Sequence, residues 1–389
     1  MKFNKWTLGL AAVGVVSLAS AAKADEKLTA VQTALSSTTI SGYVDTSAQW
    51  NFGTGTGTAF YGYGGVAKAD GFNLNVVELS IGKPLDESEW ASGYKVDLWL
   101  GPDANTLATH SAGGNTSDFT IKQAYVALRT PVGNGIDWKI GVFDTIIGYE
   151  SSSSPNNPNF TRSYGYTIEP TTHTGILGTY RVCEEFSVSA GVANTFGPAI
   201  NARANPPRAE SYKTYMASVA LTAPTSWGWA AGSTLYAGVI NGFNAGAPLN
   251  GPATQTSWYA GATIATPVTG LKFGVAFDYL DSHGGSAAPG TAGNDLWALG
   301  LYASYQATEK LSLHVRGELA TSQNTLLAKD NAQLWAATGT VQYDLWQNVI
   351  SRLEIRWDHG DEFTYLSGST GGFTQRNSVL VAANIVYKF

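Results

Sequence analysis

The chain has 389 residues, of which 44 are Gly, 12% are aromatic and only 13% are charged, with a formal net charge of −6. An acidic balance with no basic stripe excludes a nucleic-acid partner, which needs clustered Lys and Arg to meet phosphate. The single cysteine, Cys183, excludes an internal disulfide and falls to a turn or a buried position.

Lys2 and Lys5 precede an apolar run from Trp6 to Ala22, and Ala22-Lys23-Ala24 puts small residues where a signal peptidase reads. Residues 1–24 are therefore predicted to be a cleaved secretory signal peptide. The alternative, a transmembrane helix, is disfavoured by the short run and the missing stop-transfer pattern. Without Lys2, Lys5 and Lys23, 20 basic residues stand against 29 acidic ones. No later apolar stretch is long enough for a spanning helix. That excludes a helical membrane protein, but not a barrel whose strands hide their apolar character in alternation. In the segment 25–38, Leu28, Val31 and Leu35 have helical spacing. It is either a short helix at the mouth or inside a barrel, or a frayed leader.

From Thr39 the period changes to two. Sixteen candidate strands follow, at about 39–52, 71–83, 92–101, 118–130, 136–148, 172–182, 186–196, 211–223, 230–243, 257–266, 271–282, 295–306, 310–321, 332–343, 348–359 and 376–389. Short connections such as Lys83–Asp86, Pro131–Gly135, Cys183–Glu185 and Pro224–Ser226 alternate with long ones such as Gly53–Asp70, Gly101–Ser117, Tyr149–Thr171 and Gly360–Gln375. This alternation predicts an all-β, transmembrane, antiparallel up-and-down barrel over 39–389, with short periplasmic turns and long extracellular loops. An even strand number lets Val379–Phe389 pair with Thr39–Phe52 and remove both sheet edges.

A soluble sandwich also alternates, so the faces alone do not decide. Tryptophan placement separates the two. Trp50, Trp90, Trp138, Trp227, Trp229, Trp258, Trp335, Trp346 and Trp357 fall at or near predicted strand ends. Membrane–water interfaces select such positions, and Tyr387 and Phe389 join the periplasmic girdle.

The five His are scattered without metal-ligand spacing, and no Gly-x-Ser-x-Gly elbow exists, so neither cofactor, metal nor catalysis is expected. Gly53-Thr54-Gly55-Thr56-Gly57 opens no helix and reads as a loop. Asp358, Asp361 and Glu362 form either a solvated rim cluster or a divalent-cation site bridging lipopolysaccharide.

The informative charges lie on lumen faces. One group is His314, Arg316, Arg352 and Arg356, interleaved with Glu318, Glu354 and Asp358. A second is Lys95, Lys122, Arg129, Lys139 and Arg181, with Asp97 and Asp137. Either these mixed ladders neutralise one another and stiffen the wall, or some form a constriction with a transverse field. The segment Tyr149–Thr171, rich in Pro and Tyr, either folds into the lumen and narrows it or stays an exposed loop.

Gly42-Tyr43-Val44-Asp45, Asn73–Leu79, Gly141-Val142-Phe143-Asp144 and Ser163-Tyr164-Gly165-Tyr166 resemble the β-barrel porin-2, OmpL-like family. The resemblance covers nearly all of the chain after the leader. It implies an outer-membrane porin that passes small hydrophilic solutes or ions, in contact with lipid and lipopolysaccharide, with homotrimerisation as a family expectation. In general diffusion porins the loop after strand five folds inward as the constriction, and Tyr149–Thr171 occupies that place. By that likeness Asp144, Glu150 and Glu169 join the pore lining, Glu150 and Glu169 face the basic wall, and Arg162 departs from a purely acidic loop. The terminal Phe389 resembles the signature read by the barrel-assembly machinery. The rivals are a structural or adhesive barrel with a plugged lumen, and a barrel hydrolase, for which no converging Ser, His and orienting group is found.

Overall fold

The computed structural model describes residues 37–53, 68, 70–106, 110–111, 118–204, 212–243, 254–283, 294–322, 332–361, 365–366 and 373–389. The signal peptide, the leader with Leu28, Val31 and Leu35, Thr54–Gly57 and Glu362 lie outside the described residues.

One antiparallel sheet of sixteen strands closes on itself. In chain order the barrel strands are β1 Thr39–Phe52, β2 Gly71–Lys83, β3 Ser92–Leu100, β4 Phe119–Thr130, β5 Ile136–Asp144, β6 Thr172–Arg181, β7 Phe186–Ala193 and β8 Thr214–Thr222. They continue as β9 Thr234–Phe243, β10 Thr254–Ala265, β11 Leu271–His283, β12 Asn294–Gln306, β13 Leu311–Ser322, β14 Ala332–Trp346, β15 Val349–Gly360 and β16 Asn377–Lys388. A short helix, α1 Asp103–Thr106, follows β3, and a second, α2 Tyr164–Ile168, lies between β5 and β6. Each strand pairs with its chain neighbours, and β16 completes the ring on β1.

All sixteen predicted strands are present. The boundaries that moved have local causes. β5 stops at Asp144: the Thr145 N–H still donates to the Thr171 carbonyl (3.0 Å), and Gly148, at φ 111°, then turns the chain off the wall. β9 starts late because Thr225–Ala230 forms a 3-10 turn, with Gly228 and Gly232 in positive φ. β14 runs on to Trp346 through a bulge, and Asn348 at φ 65° then makes the turn. Cys183 sits exposed in the tight turn between β6 and β7.

The barrel is polar inside and apolar outside. On β13, His314, Arg316, Glu318 and Ala320 are buried in the lumen while Leu313 and Val315 are exposed. On β15, Arg352, Glu354, Arg356 and Asp358 point inward, and Leu353, Ile355 and Trp357 are exposed. A single closed sheet whose exposed face carries Leu, Ile, Val and Trp suits a lipid-facing wall and excludes a sandwich, which buries that face. A one-residue register slip would turn every one of these charges to the outside.

Aromatic side chains mark both rims. Trp50, Trp258 and Trp357 are exposed near the long-loop ends, where Trp258, Tyr279 and Trp297 lie side by side on β10, β11 and β12, with Trp335 on β14 at the same rim. Trp138, Trp346, Tyr387 and Phe389 stand near the short turns. The seam is closed by the last residue: Gly42 and Phe389 exchange backbone hydrogen bonds of 2.9 and 3.0 Å. A Cβ on Gly42 would lie 2.8 Å from the Phe389 ring and 2.0 Å from the Glu78 carbonyl, so only glycine seats the ring there.

Candidate functional site

The segment after β5 enters the barrel and crosses it. Ile146 and Ile147 are almost fully buried against lumen-facing Leu177, Met216, Tyr236 and Ile240. Tyr149 stacks on Tyr302 with ring centroids 4.1 Å apart, and the Tyr236 hydroxyl donates to the Ile146 carbonyl at 2.5 Å. Burying each such side chain contributes about 1.5–3 kcal/mol.

The far side of the loop is fixed to β13–β15 by charge. Glu354 accepts from the Phe160 N–H (2.6 Å), the Thr161 N–H (2.9 Å), the Thr161 hydroxyl (2.6 Å) and the Thr340 hydroxyl (2.7 Å). Glu318 accepts from the Tyr164 N–H at 2.6 Å and from Arg316 Nε at 2.7 Å. Arg316 also donates to Glu150 and to the Thr161 carbonyl, each at 2.8 Å. Arg352 donates to the carbonyls of Asn157 (2.8 Å) and Ser154 (3.2 Å). Arg356 grips Asp358 with bonds of 2.8–2.9 Å and donates to the Arg162 carbonyl at 2.6 Å. The Tyr164 hydroxyl donates to Asp358 at 2.6 Å.

These contacts correct the expected pore lining. Arg316, Arg352, Arg356, His314, Glu318 and Glu354 do lie on the lumen face, but between wall and loop, at 0–8% exposure. Arg162 turns back into its own loop, donating to the carbonyls of Phe160 and Ser152, rather than facing the channel. Four guanidiniums (Arg162, Arg316, Arg352, Arg356) meet four carboxylates (Glu150, Glu318, Glu354, Asp358), so the cluster carries no net charge. It is the neutralising ladder of the two readings, with the loop as a further rail.

Glu150 does reach the basic wall, as expected. Glu169 does not: it lies against Gly148 and shares a hydrogen bond with Asp278 of β11. Burial, and the acidic neighbour Asp278, hold the Glu169 carboxyl well above the usual carboxylate range. Asp358 is committed inward and Asp361 accepts the Gln333 N–H at 3.0 Å, so these two acids serve separate partners; Glu362, the third member of the rim cluster, lies outside the described residues.

The second basic group does meet open space. Lys95, Arg129, Lys139 and Arg181, with Asp137, line a cavity of about 340 Å³ at the short-turn end, between β1 and β7. Arg129 holds Asp137 through bonds of 2.6 and 2.9 Å, and Lys95 pairs with Asp97 at 2.9 Å. Lys122 pairs with Asp144 where the loop leaves the wall. Beyond that pair, Asp144, Glu150, Tyr166 and Glu169 line a narrow cleft beside the loop.

Sequence reasoning did not single out several residues that shape this interior. Glu78 accepts from Trp99 Nε1 (2.6 Å) and the Ser153 hydroxyl (3.1 Å), tying the loop to β2 and β3. Lys68 and Asp103 form a buried ion pair at 2.5 Å. Phe160 and Tyr166 of the loop join Tyr43, Trp99, Ala104 and Ile350 in a buried cluster. Inward alternation on β1–β3 was the available signal for Tyr43, Glu78 and Trp99. His314 Nδ1 lies 2.8 Å from the Ser304 hydroxyl, and among the described residues its Nε2 has no partner that would orient it as in a nucleophilic set.

Fold and interior together define a porin-type β-barrel of the bacterial outer membrane. The sequence profile of the putative beta-barrel porin-2, OmpL-like family matches residues 37–389, and the chain belongs to that family. No curated protein matches it. Among solved structures it is similar to the outer membrane channel DcaP of Acinetobacter baumannii (13% identity, TM-score 0.59, covering 90% of this chain and 97% of that one). It is also similar to the trimer form of OmpT, an outer membrane protein of Vibrio cholerae (12%, 0.58, 90% and 99%). A third is an anion-selective porin from Comamonas acidovorans (13%, 0.57, 90% and 99%). Identities this low establish the shared fold alone.

Proposed function

We propose that this protein is a porin proper: a water-filled channel for passive diffusion of small hydrophilic solutes or ions across the outer membrane, without catalysis. The observation that carries this reading is the asymmetry of the interior. The inward loop is fixed to the β13–β15 wall by a charge-neutral cluster, while the β1–β7 side keeps a cavity lined by ionisable side chains. Passage runs from the long-loop side along the cleft at Glu150 and Glu169, past Lys122–Asp144, into that cavity and the periplasm. Sieving is set by the loop, and electrostatic bias by Lys95, Lys122, Arg129, Lys139 and Arg181. The rim aromatics Trp50, Trp138, Trp258, Trp335, Trp357, Tyr387 and Phe389 hold the barrel at the two interfaces, against lipid and lipopolysaccharide. The chain is exported by its cleaved signal peptide and inserted by the assembly machinery. A trimeric neighbour of the same fold supports a homotrimer.

One observation favours a second reading, a plugged barrel with a structural or adhesive role. Phe160 and Tyr166 pack with Trp99, Tyr43 and Ala104, so the loop also touches the β1–β3 side. Planar-bilayer recording of the refolded protein separates the two. Discrete conductance steps support the porin, and a folded barrel without conductance supports the plug.

A further inference from the structure

The cavity at the short-turn end carries more specific chemistry than a passive wall. Its inward-facing side chains include four cations, Lys95, Arg129, Lys139 and Arg181, and one carboxylate, Asp137. The chain as a whole has more acids than bases, so composition does not account for this concentration of positive charge. Asp137 is occupied by Arg129, and Lys95 by Asp97. Lys139 is different. Among the described residues no carboxylate lies within ion-pair distance of its Nζ, which instead sits 5.2 Å from the centroid of the Tyr125 ring. Tyr125 pairs across the strands with Lys95 and lines the same cavity, so an aromatic ring stands on the cationic floor.

We propose that this cavity is a binding site for aromatic carboxylates, with Lys139 receiving the carboxylate and Tyr125 contacting the ring. The volume of about 340 Å³ is at the small end of the range for organic ligands. A hydrated anion such as inorganic phosphate favours the bidentate fork of a guanidinium; of the two that line the cavity, Asp137 already holds that of Arg129, and Arg181 stands at the end of its strand. An ammonium beside an aromatic face suits a planar anion that contributes both charge and apolar area. Entry is from the periplasmic mouth, and binding requires the barrel but not conduction through it.

The test is isothermal titration calorimetry on the refolded full barrel in detergent, its fold verified by heat-modifiable migration. Benzoate, acetate, benzyl alcohol and inorganic phosphate serve as probes. Benzoate is expected to bind saturably, at least about tenfold more tightly than benzyl alcohol or phosphate. Lys139→Gln weakens benzoate about tenfold. Lys272→Gln, on β11 and outside the cavity, leaves it unchanged. Tyr125→Leu keeps the ammonium and removes a ring, so benzoate falls toward the acetate affinity; this variant answers if Lys139→Gln does not fold. Equal binding of benzoate and benzyl alcohol, tighter binding of phosphate, no saturable benzoate binding, or indifference to both substitutions would overturn the proposal. Because the measurement is made at equilibrium, a non-conducting barrel that binds benzoate contradicts only the porin reading.

Discussion

Glu354→Gln tests how the inward loop is held. At 1% exposure the Glu354 carboxylate takes three hydrogen bonds from the loop, two from backbone N–H groups and one from the Thr161 hydroxyl. Hydrogen bonds to a charged group contribute about 1.5–3 kcal/mol each, so three would set an upper limit of about 4.5–9 kcal/mol if they added. They share one carboxylate, and glutamine keeps one carbonyl oxygen, so the loss is smaller. Phe160 N–H and Thr161 N–H use different oxygens, so the amide NH2 faces one of them in either orientation, and one buried donor left without an acceptor costs about 1–3 kcal/mol. A shift of about 3 kcal/mol in loop docking is roughly a hundredfold change in the undocked population. The barrel wall keeps all its ladder bonds, so heat-modifiable migration is expected at an unchanged temperature. Single-channel records are expected to gain flicker and a larger conductance substate. A folded Glu354→Gln barrel with the wild-type conductance and noise would refute this account of the loop.

Lys122→Gln removes the cation paired with Asp144 at the inner end of the cavity, so reversal potentials in a KCl gradient should move toward cation preference. By contrast, charge reversal at Arg316 or Arg352 is expected to disturb the loop before it alters selectivity, because both lie inside a neutral buried cluster. Burial and Asp278 raise the Glu169 carboxyl pKa, so between about pH 4.3 and its elevated folded value the folded barrel keeps a proton that the unfolded chain releases. Its stabilising contribution is therefore complete below that pH and is lost as pH rises through the elevated folded value. Glu169→Gln should flatten this dependence in urea-unfolding midpoints measured across pH. Deleting Phe389 removes both hydrogen bonds to Gly42 and the ring seated on it, so the yield of heat-modifiable barrel should fall, while the conductance of the barrels that do form is retained.

The wall was legible in the sequence because barrel strands obey one rule, alternation, and the rule is local. His314, Arg316 and Glu318 could be placed in the lumen from their spacing against Leu313 and Val315 alone. The Pro and Tyr content of Tyr149–Thr171 left an inward and an exposed course open, and only the resemblance to general diffusion porins pointed to the inward one. The environment of each lumen charge was not legible. Whether Arg316 meets water or a carbonyl depends on where Thr161 arrives from the opposite wall, and no periodicity encodes that contact of long sequence separation. Glu169 shows the same limit. Both ends of the loop carry an acid, but only Glu150 continues to β13, while Glu169 returns with the chain to the neck at Gly148. The short-turn cavity was half legible. Lys95, Arg129 and Lys139 occupy inward positions on consecutive strands, whereas the lack, among the described residues, of an acid within ion-pair distance of Lys139 depends on which neighbours Asp97, Asp137 and Asp144 engage.

The central claim is that a conducting path remains beside the fixed loop, and planar-bilayer recording of the refolded wild-type barrel, from single channels in symmetric KCl, tests it most directly. Discrete, reproducible conductance steps are the result this account predicts. A heat-modifiable, correctly folded barrel that inserts and yet passes no current would contradict it.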